Sequence, residues 1–224
     1  MFVEGTLRWQ VTEDCPWDLL IALAVRDLAG LAETARPSLP PLDPSVTPAL
    51  QSRGARSGRR AARPGAMGSP GASPGGSAAA GDDALAAQWQ AWFELVADRT
   101  RRLTAPPLHP PHFEAFDRAL ELQDAVIAHY DAAADWAAVR HVEYVEATAA
   151  THARRAADIV DVVREREHEL RRQAGYFRLD LDVLPLAEKG AWIVGPHTVV
   201  VSASLRDDSH AFRAWLRPLV TALV

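Results

Sequence analysis

Gly65-Ala-Met-Gly-Ser-Pro-Gly-Ala-Ser-Pro-Gly-Gly-Ser-Ala-Ala-Ala-Gly81 is the least foldable part of a longer run, Pro37 to Asp83, of mostly Pro, Gly, Ser, Ala and Arg. A run with so little to bury cannot offset the entropy of ordering it, so residues 37–83 are expected to form a long disordered loop. It separates an N-terminal piece from a helical and strand-bearing remainder. How the chain closes across it decides the fold.

Before the run, Phe2 to Thr12 alternates Val3, Leu7, Trp9 and Val11 against Thr6, Arg8 and Gln10, the period-two pattern of a half-buried strand. Pro16 then stands where a helix start tolerates proline. Trp17, Leu20, Ala24, Leu28 and Leu31 predict a helix of about 18 residues. After the run, Leu85, Trp89, Trp92 and Val96 mark one face of a second helix. A stiff connector follows, Thr104-Ala-Pro-Pro-Leu-His-Pro-Pro111.

From His112 to Gln173 there is neither Gly nor Pro. One rod or two helices would fit. Phe113, Phe116, Leu120, Ile127 and Tyr130 step by three and four, whereas Val142, Val145, Ala149, Ala156, Ile159, Val163 and Leu170 follow out of phase. The phase break and a suitable N-cap residue at Asp135 favour two helices. Beyond Gly175 the period changes. Phe177, Leu179, Leu181 and Val183 alternate with Arg178, Asp180 and Asp182, a clear strand, and Ala191–Val194 and Thr198–Leu205 follow as two more. Asp208 or Ser209 caps a last helix with Phe212, Trp215, Leu216 and Leu219 on one face, and Pro218 should kink or end it.

A hairpin alone is marginal in water. The N-terminal strand is therefore expected beside the C-terminal ones. The predicted fold class is α+β: about four helices packed on a small antiparallel sheet, made of the N-terminal strand and a C-terminal β-meander. Residues 1–224 then form a single domain interrupted by the 37–83 loop.

Composition limits function. Of 24 basic and 29 acidic side chains the loop takes five Arg and three Asp, leaving 19 against 26 and a body near −7. Such a body is a poor ligand for nucleic acid or anionic lipid. Lys189 is the only lysine and Arg and Ala abound, as codon bias in a GC-rich bacterial genome would produce. The single cysteine, Cys15, rules out an internal disulfide and a Cys-rich zinc site, and fits a cytoplasmic protein. No signal peptide is visible, and Leu19–Val25 is far too short to span a bilayer.

Several groups have residue types suited to chemistry. His152 falls on the inferred helical seam, as a ligand, a proton carrier or a hydrogen-bonded core histidine would. Glu165-Arg-Glu-His168 has one Glu-x-x-His spacing, whereas a di-iron bundle needs two plus further glutamates, and Glu167 with Arg171 should pair on a solvated face. Asp180, Asp182 and His197, with Asp207, Asp208 and His210 nearby, could gather at one end of the sheet for cation binding or acid–base work. An exposed strand face and a helix cap are the simpler account of them. No Gly-x-Ser-x-Gly elbow and no phosphate loop occurs. Arg53-Gly-Ala-Arg-Ser-Gly-Arg-Arg-Ala-Ala-Arg63 is basic but carries no aromatic residue to stack on bases.

No cofactor, metal site or catalytic residue is assigned from these residues. The leading expectation is a non-catalytic interaction or regulatory protein with a protein partner or a second copy of itself. The alternative is a metal-dependent or small-ligand-binding enzyme using His152, or Asp180, Asp182 and His197. Nucleic-acid contact through the arginine cluster ranks last.

Overall fold

The computed structural model describes residues 2–5, 9–48 and 75–224, with side chains from 9–48 and 81–224. The elements are β1 (Phe2–Gly5), β2 (Trp9–Asp14), α1 (Trp17–Leu28), α2 (Gly75–Ala97), α3 (Arg99–Arg102), α4 (Leu120–Leu170), β3 (Phe177–Leu184), β4 (Ala191–Ile193), β5 (Thr198–Ser202), α5 (Ala203–Asp207) and α6 (Ser209–Leu223). The α+β class holds, and the N-terminal strand does lie beside the C-terminal ones.

The predicted strand over Phe2–Thr12 divides into β1 and β2, which pair antiparallel. The sheet itself departs from the antiparallel expectation. Its order is β1-β2-β3-β5-β4, with β2–β3 and β3–β5 parallel and only the two edge pairs antiparallel. A parallel neighbour needs a long crossover, and α1, α2 and α4 between β2 and β3 supply one. Nor do β3, β4 and β5 form a meander. Short β4 reverses the chain at the edge, and β5 returns between it and β3.

Helices and loops cover both faces of the central strands, so β3 and β5 are buried at almost every position. On one face Trp9, Val11, Leu179, Leu181, Val199 and Val201 pack against Ile159 and Val163 of α4 and Phe212, Leu216 and Val220 of α6. On the other, Leu184 and Val200 join the core of α1, α2 and the first half of α4. Helix α1 is the centre of that second core, every residue from Leu19 to Arg26 being buried. It is shorter than predicted because it stops in a Schellman turn. The Leu31 N–H donates to the Arg26 carbonyl at 2.9 Å and the Gly30 N–H to the Asp27 carbonyl at 3.2 Å, with Gly30 at φ +72°.

Helix α4 is one rod, not two. A straight helix drifts against any fixed heptad seam, and α4 serves two cores in succession. Leu122, Val126, Ala133 and Ala137 pack beside α1, and Ile159, Val162 and Val163 pack on the sheet. Between them it crosses the carboxyl edge of the parallel strands, where the His141 ring nitrogen lies 3.1 Å from the Cys15 carbonyl. The phase break in the sequence marks this crossing, not a break in the helix. Leu120, Ile127, Val142 and Val145, expected on a buried seam, are instead exposed.

The start of the run expected to be disordered is also ordered. Leu39 and Leu42 are buried, and Leu42 bridges Leu186. The buried Arg26 guanidinium donates to the carbonyls of Leu39 at 2.9 Å and Pro40 at 2.8 Å, and Asp27 accepts the Leu42 N–H at 2.8 Å. Fixed polar groups beneath it satisfy the strap's backbone, which composition alone could not reveal. At the far end, residues 75–83 already belong to α2. The rest of the expected loop, with the Arg53–Arg63 cluster, lies outside the described residues. Helix α6 starts as expected, with Asp208 accepting the Ala211 N–H at 3.0 Å, and continues through Pro218 to Leu223. No helix among the described residues is long and apolar enough to cross a membrane.

Candidate functional site

The register of β2 on β3 sets Thr12 beside Asp180 and Asp14 beside Asp182. All four face the α1–α3 side of the sheet. The expectation of an exposed strand face is overturned: Asp180 is 4% exposed and Asp182 only 2%. Asp180 takes an ion pair from Arg178 at 2.7 Å, and its own N–H donates to the His197 carbonyl. Asp182 Oδ1 stands 3.7 Å from Arg102, close enough for attraction but too long for a hydrogen bond. Its Oδ2, with Thr12 Oγ1, Asp180 Oδ1 and Arg102 Nη1, has no hydrogen-bond partner among the described residues.

This setting raises the Asp182 carboxyl to about 7. Burial is the main cause; Asp14 and Asp180 add to it, and Arg102 and Arg99 oppose it. Asp18, in the first turn of α1, is raised by burial as well, with Arg102 pulling the other way. Asp182 and Asp18 are thus both raised by burial, and both are opposed by Arg102. A carboxyl poised near neutrality suits proton transfer, but Asp182 is closed off from solvent. Nucleophilic chemistry has no better footing. Cys15 is buried, and desolvation followed by Asp14 and Asp182 pushes its thiol up, away from the reactive thiolate.

The remaining candidates disperse. His152 is exposed on α4 rather than seated in a core, and the His197 side chain is exposed while its backbone alone meets Asp180. Asp207 pairs with Arg155 at 2.6 Å; Asp208 caps α6 and meets Lys189 at 2.6 Å; His210 is exposed. Glu165 of the Glu-x-x-His motif is held by Arg213 at 3.0 Å and Arg217 at 3.1 Å. Glu167 accepts the Ala174 N–H at 2.8 Å where a pair with Arg171 was expected. Among the described residues no group of three or more His, Cys, Asp or Glu could hold a metal ion.

A second polar group, on the opposite sheet face, escaped the sequence reading. Glu13, fully buried, receives Arg155 at 2.6 Å and Arg206 at 2.7 Å. Arg206 also meets Asp158 at 3.3 Å and the Arg155 carbonyl at 2.8 Å, and lies 4.0 Å over the Phe212 ring. Ending the strand at Thr12 hid Glu13, whose place two residues after Val11 was the available signal. The network ties β2, α4 and α5 together, and its paired charges are structural rather than open to a substrate.

A further surface feature among the described residues is α4 itself. Leu120, Ile127, Val142 and Val145 are 51–61% exposed, and with Ala138 and Ala149 they share one flank of the helix. Compared with family models, curated proteins and solved structures, the chain matches none.

Proposed function

We propose that the protein acts by binding another protein chain rather than by catalysis, and that the flank of α4 is where it does so. The carrying observation is the row of half-exposed apolar side chains from Leu120 to Val145 on a helix about 75 Å long. Single exposed apolar residues need no explanation, but an aligned set does.

A second copy of this chain is the partner the row fits. Ile127 and Val145 lie equally far from position 136, and so do Ala134 and Ala138. Two copies of α4 packed antiparallel about that point set Ile127 of each against Val145 of the other, and Ala134 against Ala138. That is the self-complementarity of a two-fold interface. Small residues at the centre permit close approach of the two backbones.

Light scattering on the full chain tests this. The expected result is a dimer that the double change Val142→Glu, Val145→Glu converts to monomer without loss of helix content. A monomeric wild type at tens of micromolar, or a dimer unmoved by both glutamates, would sink the reading.

A further inference from the structure

We propose that the cavity between the start of α1, the end of α2 and the proline connector binds a small organic cation of the alkylated or quaternary ammonium type. It encloses about 330 Å³, at the low end of the range for small-ligand pockets. Four aromatic side chains line it, Trp17, Trp92, Phe116 and Tyr130. Trp92 and Phe116 meet edge-to-face at 5.2 Å, and Trp17 at the rim is 37% exposed. Ring faces attract cations through their quadrupole, and quaternary ammonium groups, weakly hydrated and with no N–H donors, gain the most from such a wall.

The charge of the lining has one sign. Among the described residues Asp18 is its single carboxylate, and none of those lining it is Lys, Arg or His. Pro106 and Pro107, on the connector side, have no N–H with which to hold an anion. An anionic ligand would face Asp18 without a counter-charge in the wall.

Asp18 is also short of compensation. Burial raises its carboxyl, and Arg102, the cation opposing that effect, is not among the lining residues and is shared with Asp182. A cationic guest would supply Asp18 with a partner and displace none. This inference stands apart from the pairing of α4, since the α4 side chain in the cavity wall is Tyr130 and not one of the exposed row.

The test is an NMR titration of the full chain with choline chloride, following the indole N–H signals of Trp17 and Trp92. Controls are sodium chloride and the neutral isostere of choline in which a quaternary carbon replaces the nitrogen. Saturable shifts with choline alone, and at least a fivefold loss of affinity in Asp18→Asn, are expected. No saturable shift, an equal response to the isostere, or a smaller loss in Asp18→Asn would overturn the proposal. If Asp18→Asn does not fold, the wild-type comparison decides: preference for choline over the isostere supports the site, and parity removes it.

Discussion

Asp182 lies on β3 beneath α1–α3, with Arg102 3.7 Å from its Oδ1. The alternation of Asp180 and Asp182 with apolar neighbours looks like a solvated strand face, yet α1–α3 close over it and leave Asp182 at 2% exposure. Its carboxyl, raised from 3.8 to about 7, binds a proton in the folded state more tightly than in the unfolded chain. The stabilising effect of that proton is complete below the unfolded carboxyl value and is lost as pH rises through the folded one. Stability should therefore fall between about pH 4 and pH 7, at a slope on the order of 1.4 kcal/mol per pH unit within that window. Asp182→Asn should remove that slope and raise the melting temperature at about pH 8. Thermal melts of both proteins across this range check it, and identical pH dependence of the two would refute it.

Elements were legible where local rules govern them. Asp208 as a cap and the strand over Phe177–Leu184 follow from residue chemistry close in sequence, and they hold. The end of α1 depends on Gly30 at φ +72°, a conformation that L residues adopt with strain. Among the described residues, its chain neighbours aside, no heavy atom lies within 4 Å of where a Cβ at Gly30 would sit, so the cost of a side chain there is backbone strain. Gly30→Ala should destabilise by about 1–2 kcal/mol, read from urea denaturation. Helix α4 failed the same local reading for a reason that is not local. Its apolar residues serve two cores and an exposed flank in turn, so no single seam describes it.

At the scale of the whole molecule, the order β1-β2-β3-β5-β4 sets β2 inside the sheet, beside β3. β2 pairs with β3 along its whole length, Glu13 supplies the carboxylate between Arg155 and Arg206, and α1 is the centre of a core. A fragment of residues 84–224 would leave two buried guanidinium groups without that carboxylate, a loss typically worth about 3–5 kcal/mol, and expose one side of β3. It is expected to show no cooperative melt. Circular dichroism on the fragment alone, and after adding residues 1–48 in trans, reads this directly. A cooperative melt of the isolated fragment would disprove the closure.

The amino-acid sequence by itself determined the class of the fold, the strand periods, the capped last helix and the return of the N-terminal strand to the C-terminal ones. These depend on side-chain alternation, capping chemistry and the need of a lone strand for a partner, all of which act between near neighbours or by simple exclusion. Tertiary structure alone decided the parallel direction of β2 and β5 on β3 and the unbroken path of α4. It also ordered the strap over Arg26, buried Asp180 and Asp182, and set Trp17, Trp92, Phe116 and Tyr130 with Asp18 in the wall of one cavity. The physical reason is common to all of these. Whether a charged or polar residue is solvated or buried, and which apolar face meets which, depends on what covers it from distant parts of the chain, and no window of neighbouring residues contains that information.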